Sequence, residues 1–252
     1  MARQLIAGNW KMNGLLADAT ALAGALAERV GAGNAAENGP SCDWLICPPA
    51  ALLYPVAQAI AGSALALGGQ DCHTTAAGAH TGDTSPALLA DLGCRYVIVG
   101  HSERRSDHGE DDATVKAKAE SAIAAGLTPI VCVGETRAER DAGRALAVIE
   151  RQVRGSLPLV GDLVVAYEPV WAIGTGLTAT AADVAEVHAA IHQLLQTLLG
   201  AARGDETLIL YGGSVKPSNA AELLAVPHVG GALVGGASLQ ADDFWAIGTA
   251  AS

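Results

Sequence analysis

Eight short runs rich in Ile, Leu and Val recur along the 252-residue chain, and each is followed by a longer stretch with helical character. The runs are Gln4–Gly8, Asp43–Cys47, Ala64–Gly68, Tyr96–Gly100, Thr128–Val133, Leu163–Glu168, Thr207–Tyr211 and Gly231–Val234. They are almost continuously apolar, without polar alternation, as expected of strands buried on both faces of a parallel sheet. Helix signals fall between them. Thr180-x-x-Asp183 makes a capping box ahead of Val184, Val187, Ile191, Leu194, Leu195 and Leu198, which share one face. Ser85-Pro86 opens a short helix that Gly93 closes, and Asp111-Asp112 suits a helix start that stops at Gly126. No linker or composition break interrupts the series. Eight β-then-α units predict a single (β/α)8 barrel domain over residues 1–252, with its chemistry on loops leaving the strand C-termini. A doubly wound open sheet is the structural alternative. It usually carries G-x-G-x-x-G after its first strand, where this chain reads Ala7-Gly8-Asn9-Trp10-Lys11-Met12-Asn13-Gly14.

Composition narrows the partners. Half of the residues are hydrophobic, enough for a sizeable core, and 15 Lys+Arg against 26 Asp+Glu leave a net charge of −11. That balance argues against a nucleic-acid backbone or an anionic membrane surface, while a local cleft field can still favour a small anion. The uncharged stretch Trp44–Gln70 is long enough to span a bilayer, but Pro48, Pro49, Pro55, Gly62, Gly68 and Gly69 divide it. Asn9 and Lys11 interrupt the N-terminus before any apolar signal-peptide core develops. Five cysteines without C-x-x-C spacing suit reduced, mostly buried thiols in a cytoplasmic protein.

Residues just past the runs should carry the chemistry. The first run is followed by Asn9 and Lys11, the fourth by His101, Ser102 and Glu103, and the sixth ends at Glu168. The last two are followed by Gly212-Gly213-Ser214 and Gly235-Gly236. Taken singly, each has a plain explanation: a solvated loop glutamate, a structural histidine, a surface lysine, a glycine turn. Together they suggest more. An apolar segment over Glu168 would desolvate its carboxylate and strengthen it as a base. His101 can exchange a proton near neutral pH. Lys11, between Trp10 and Met12, should be partly buried and should need an anion. Glycine pairs after the seventh and eighth strands let backbone N–H groups approach a phosphate. The set suggests proton transfer next to the carbonyl of a small phosphorylated substrate. Other patterns carry less. His188 and His192 have the spacing of zinc ligands, but Ala189 occupies the position where the metalloprotease motif needs glutamate, so they read as a helix-surface pair. Gly100-His101-Ser102-Glu103-Arg104 lacks the second glycine of a nucleophile elbow, and Glu103-Arg104-Arg105 reads as ion pairs bracing the site.

Five segments carry a resemblance: Ala7–Asn13, Gly100–Arg105, Ala166–Gly176, Tyr211–Val215 and Leu233–Leu239. In that order, and across nearly the whole chain, they are similar to the triosephosphate isomerase family, the namesake of the TIM barrel. The resemblance implies interconversion of dihydroxyacetone phosphate and D-glyceraldehyde 3-phosphate, a reaction of glycolysis and gluconeogenesis, without cofactor or metal. It implies Glu168 as the base, His101 as a neutral imidazole that polarises the carbonyl, and Lys11 as the substrate-facing cation beside Asn9. Gly174, Ser214, Gly235 and Gly236 match phosphate-binding positions, and the segment around Gly174 matches a closing lid. Glu103 matches a carboxylate near His101 and Lys11, while Cys132 and Glu135 match residues supporting the base. The family is typically homodimeric through the loop after the third strand, here 70–84, with Thr81 approaching the partner's site and Gly78 and Gly82 keeping the pattern. Departures cluster at this interface: Asp71 replaces the usual Asn, His80 an aromatic residue and Asp83 a Glu. Gly230 stands where an acidic residue is common. Two alternatives remain at this stage, a Schiff-base aldolase using Lys11 and a catalytically silent barrel kept for binding.

Overall fold

Parallel pairing runs unbroken around eight strands and closes on itself in the computed structural model, which describes residues 3–31, 42–174 and 177–251. The strands are β1 (Gln4–Asn9), β2 (Cys42–Cys47), β3 (Ala66–Gly69), β4 (Tyr96–Val99), β5 (Thr128–Val133), β6 (Val164–Tyr167), β7 (Ile209–Tyr211) and β8 (Gly231–Val234). Each pairs with its successor, and β8 returns to β1 with Leu5 opposite Gly231 and Gly8 opposite Val234. All eight predicted strands are present, so the barrel replaces the open-sheet alternative. The differences lie at strand ends. Gly100 takes φ +65°, outside the extended region, and ends β4 one residue early. Glu168 lies just past β6, although its N–H still donates to the Val133 carbonyl at 2.8 Å.

Side-chain alternation divides the barrel into two cores. Leu5, Ala7, Leu45, Cys47, Ile98, Ile130, Cys132, Val164, Ala166, Leu210 and Leu233 fill the interior. Ile6, Ile46, Val97, Val99, Val131, Val133, Val165 and Tyr167 face outward under the helices. Both faces of the sheet are therefore apolar, and this explains the unbroken hydrophobic runs. The interior parity also delivers the site. Two residues beyond Ala7 lies Asn9, two beyond Ala166 lies Glu168, and two beyond Leu233 lies Gly235, so these project into the barrel mouth.

The helices follow their local signals. Ser85 caps Pro86–Asp91, Asp111 caps Asp112–Ala124, and the Thr180/Asp183 capping box opens Ala181–Leu199. A second capping box, Thr136 with Glu139, opens Arg137–Asp141 and was not foreseen. All five cysteines are free and buried. Among the described residues no helix is long and apolar enough to cross a membrane.

One expectation on the Ala181–Leu199 helix is corrected. His188 is fully buried, with its ring edge-on to Tyr167, while His192 turns away to Asp205 at 3.0 Å and stacks on His228. The i, i+4 pair therefore splits between core and surface, because the inward stripe of this helix includes position 188. Burial holds the His188 imidazole down to about 4 from an ordinary 6.5, against the opposing effect of the His228 carbonyl on Nδ1. The unfolded chain binds this proton first as the pH falls, so the contribution is complete above pH 6.5 and is lost toward pH 4. That amounts to about 3 kcal/mol. Denaturant unfolding across this window should show the loss, and His188→Gln should flatten that part of the slope.

Candidate active site

Glu168 is buried at the mouth of the barrel, and the backbone makes room for it on both sides. A Cβ on Gly134 would lie 1.7 Å from the Glu168 carbonyl oxygen, and one on Gly212 would lie 2.9 Å from its Cγ. Only glycine lets β5, β6 and β7 converge this closely. The carboxylate accepts the Ser102 N–H at Oε2 (2.9 Å), and its Oε1 lies 2.7 Å from His101 Nε2. Cys132, from the inner barrel layer, sits beneath it. Burial pushes the Glu168 carboxyl up, but His101, the Ser102 amide and Lys11 together bring it below the ordinary carboxylate range. Desolvation by an apolar cover was expected to strengthen this group as a base; in the arrangement seen, its hydrogen bonds reverse the direction.

His101 is the N-cap of the helix Ser102–Asp107, and its Nδ1 accepts the Glu103 N–H at 3.2 Å. A nitrogen that accepts an amide hydrogen carries no proton, so the ring proton sits on Nε2 and points at Glu168. Burial lowers the affinity of His101 for a second proton, yet the Glu168 carboxylate outweighs burial and the net direction is upward. The bias toward charge thus comes from Glu168 itself, while the helix N-terminus and Nδ1 geometry favour the neutral ring.

Lys11 adopts φ +51°, a left-handed conformation that is uncommon outside glycine. Its N–H donates to Asn9 Oδ1 (3.0 Å), its carbonyl accepts from Gln70 Nε2 (2.8 Å), and its Nζ meets Glu103 Oε1 at 2.5 Å. The anion expected for this ammonium is therefore Glu103. Trp10 is buried as expected, but Met12 is 96% exposed and does not pack over Lys11. The left-handed turn at Lys11 sends the two neighbours in opposite directions.

Asn9, Lys11, His101, Glu103, Glu168, Gly174, Ser214, Gly235 and Gly236 all line one cavity of about 800 Å3. Lys216, Asn13 and Asp243 line it too, and nothing in the sequence singled them out. The remaining lid positions Thr175 and Gly176 lie outside the described residues. Gly213 is obligatory for a local reason, since its Cβ would lie 2.1 Å from the Tyr211 hydroxyl. Glu135 does not touch the Glu168 carboxylate. Its Oε1 accepts from the Tyr167 hydroxyl (3.1 Å) and Trp171 Nε1 (2.8 Å), and Arg140 pairs with it at 3.0 Å, so it braces the stem of the segment after Glu168.

The arginines pair as foreseen. Arg104 meets Glu110 (2.6 Å) and Asp71 (3.1 Å), Lys118 meets the same two carboxylates, and Arg105 meets Asp112 at 2.6 Å. Asp71 is thus balanced within its own chain, although burial still raises its carboxyl. His80 stacks on His73 with ring centroids 3.8 Å apart, and Asp83 lies 3.9 Å from His73. His73, His80 and Asp83 each bring a ligand atom within 4.8 Å of the others, a grouping common among exposed side chains without an ion. Gly230 donates to Ile209 O and accepts from Leu5 N–H, joining the start of β8 to both neighbours.

Acid–base groups gathered over the C-terminal ends of a closed parallel barrel define the class: this is a (β/α)8-barrel enzyme. Comparison with known proteins narrows it. Residues 4–251 match the triosephosphate isomerase family, and the chain belongs to that family. It is 60% identical over 251 residues to a triosephosphate isomerase of Afipia carboxidovorans, covering 98% of this chain and 97% of that one. It is 57% identical over 259 residues to one from Acidiphilium cryptum, covering 99% and 98%. The crystal structure of triosephosphate isomerase from Bartonella henselae superposes with a TM-score of 0.88 at 46% identity, covering 98% of each chain.

The approach of Gly134 to Glu168 has a direct consequence. Gly134→Ala should destabilise the fold by about 2–3 kcal/mol, because the obstacle is backbone and cannot rotate away. Denaturant unfolding beside wild type measures it.

Proposed function

We propose that the chain catalyses the reversible isomerisation of dihydroxyacetone phosphate and D-glyceraldehyde 3-phosphate, with Glu168 as base and His101 as electrophile. The observation that carries this assignment is the 2.7 Å contact between the buried Glu168 carboxylate and His101 Nε2, inside a cavity shared with Lys11. A substrate carbonyl entering between them would accept the Nε2 proton as a hydrogen bond and displace Glu168 from the imidazole. Losing the His101 contact, the largest of those that lower its proton affinity, the carboxylate would be left more strongly under the influence of burial, which raises it. It would then take a proton from the carbon next to the carbonyl. The C–H electron pair becomes a carbon–carbon double bond, the C=O π pair moves onto oxygen, and His101 and Lys11 stabilise the charge that develops there. A proton then passes from the adjacent hydroxyl to the former carbonyl oxygen, with His101 Nε2 as the group in place to relay it, and return of the carbon-bound proton from Glu168 to the former carbonyl carbon completes the isomerisation. Asn9 supports Lys11 by accepting the Lys11 backbone N–H at Oδ1. Gly174, Ser214, Gly235 and Gly236 would bind the phosphate, and closure of the segment at Gly174 would exclude water. The chemistry requires no cofactor and no metal ion. Glu103 takes the Lys11 ammonium, a contact that favours an electrostatic role over Schiff-base formation.

Residues 1–252 would act as one domain, in the cytoplasm, as a homodimer. Support for the dimer comes from apolar side chains left exposed, among them Met12, Leu15, Leu16, Tyr54 and Leu88. A groove of about 450 Å3 opens beside Met12, lined also by Leu53, Glu103 and Asp107. The loop 70–84, with Thr81 exposed, would fill the partner's groove.

Glu168→Gln keeps the shape and removes the base, so kcat should fall by about 10²–10⁴-fold with KM nearly unchanged. A coupled assay of D-glyceraldehyde 3-phosphate isomerisation reads this, and near-normal turnover would remove Glu168 from the mechanism. A silent barrel would show no wild-type turnover at all. Sedimentation at micromolar concentration should give about twice the 25.3 kDa chain mass, and a single-chain mass would overturn the dimer.

A further inference from the structure

Beyond Val133, β5 loses one of its two neighbours. Toward β6 its backbone stays paired, with Val133 O accepting the Glu168 N–H and Glu135 O accepting the Val170 N–H at 3.2 Å. On the opposite side β4 has already turned away at Gly100 into the helix Ser102–Asp107. The peptide groups of Gly134 therefore face a place where no strand continues. Gln152 fills it. This buried side chain, on the helix Ala145–Ser156, accepts the Gly134 N–H at Oε1 (2.7 Å) and donates from Nε2 to the Gly134 carbonyl (3.2 Å). A primary amide carries donor and acceptor on one carbon, the same pair a neighbouring strand would offer. Gly134 is also the residue against which the Glu168 backbone rests.

We propose that Gln152 is a positioning residue, a side-chain surrogate for the missing β4 strand that holds the Gly134 peptide and through it the backbone of Glu168. It does not touch the carboxylate, and it lies outside the cavity of about 800 Å3. Its effect is on where Glu168 is held. The inference rests on the assignment of Glu168 as the base.

Two variants test it. Gln152→Met keeps the volume and removes both hydrogen bonds, and Gln152→Glu keeps an acceptor for the Gly134 N–H while losing the donor. Small misplacements of a catalytic group cost up to about 100-fold, so Gln152→Met should lower kcat by about 10–100-fold with KM within about threefold. Gln152→Glu should fall between Gln152→Met and wild type. In a Glu168→Gln background the same Met substitution should change the residual rate by less than about twofold, because the group it positions is already lost. Wild-type kcat in folded Gln152→Met, a change in KM alone, or an equal rate loss in both backgrounds would overturn the proposal. If circular dichroism finds Gln152→Met unfolded, Gln152→Glu and its Glu168→Gln double variant decide by the same criteria. Near-normal turnover of Glu168→Gln would overturn the base assignment and this inference with it. An inactive Glu168→Gln beside a fully active Gln152→Met would overturn this inference alone.

Discussion

Closure of the parallel sheet is the constraint from which the site follows. Once β8 pairs with β1, alternate residues of every strand face a common axis, and continuing that alternation past each strand end brings Asn9, Glu168 and Gly235 to one place. Residues separated by more than 200 positions in sequence become neighbours because eight strands share a single interior. The interior below is filled by Leu5, Ala7, Ile98, Ile130, Cys132, Ala166, Leu210 and others, so the mouth has a packed floor and the polar groups cannot sink into it.

Local electrostatics then determine how each group is poised. Glu168 is buried, which alone would favour its protonated form, yet the Ser102 amide and His101 favour the carboxylate. His101 is held by an amide at Nδ1 and a carboxylate at Nε2, so its tautomer is set from both ends. The 2.7 Å contact between the two side chains orders both of them.

The strands were legible because a parallel sheet covered on both faces writes itself as continuous apolar runs, and the helix starts because Ser85, Asp111 and Thr180 cap by short-range bonds. Residues at strand ends were legible for a related reason: polar groups directly after buried runs have few other places to be. Less visible was which face each apolar residue takes. Leu5 points inward and Ile6 outward, and neither side chain declares it. His188 in the core, Met12 in the open and Gln152 against Gly134 left no signal, since each depends on an element that packs nearby but lies far away in sequence.

What the sequence determined by itself is the inventory and its order: eight strands, their helices, and a carboxylate, an imidazole, an ammonium and glycine pairs at particular strand ends. Tertiary structure alone decided the direction of the Glu168 and His101 proton affinities, the Glu103 contact at Lys11, and the surrogate strand edge at Gln152. The physical reason is range. Capping and apolar periodicity act over a few residues along the chain, whereas proton affinity and hydrogen-bond satisfaction depend on distances of about 3 Å between groups that only the closed barrel brings together.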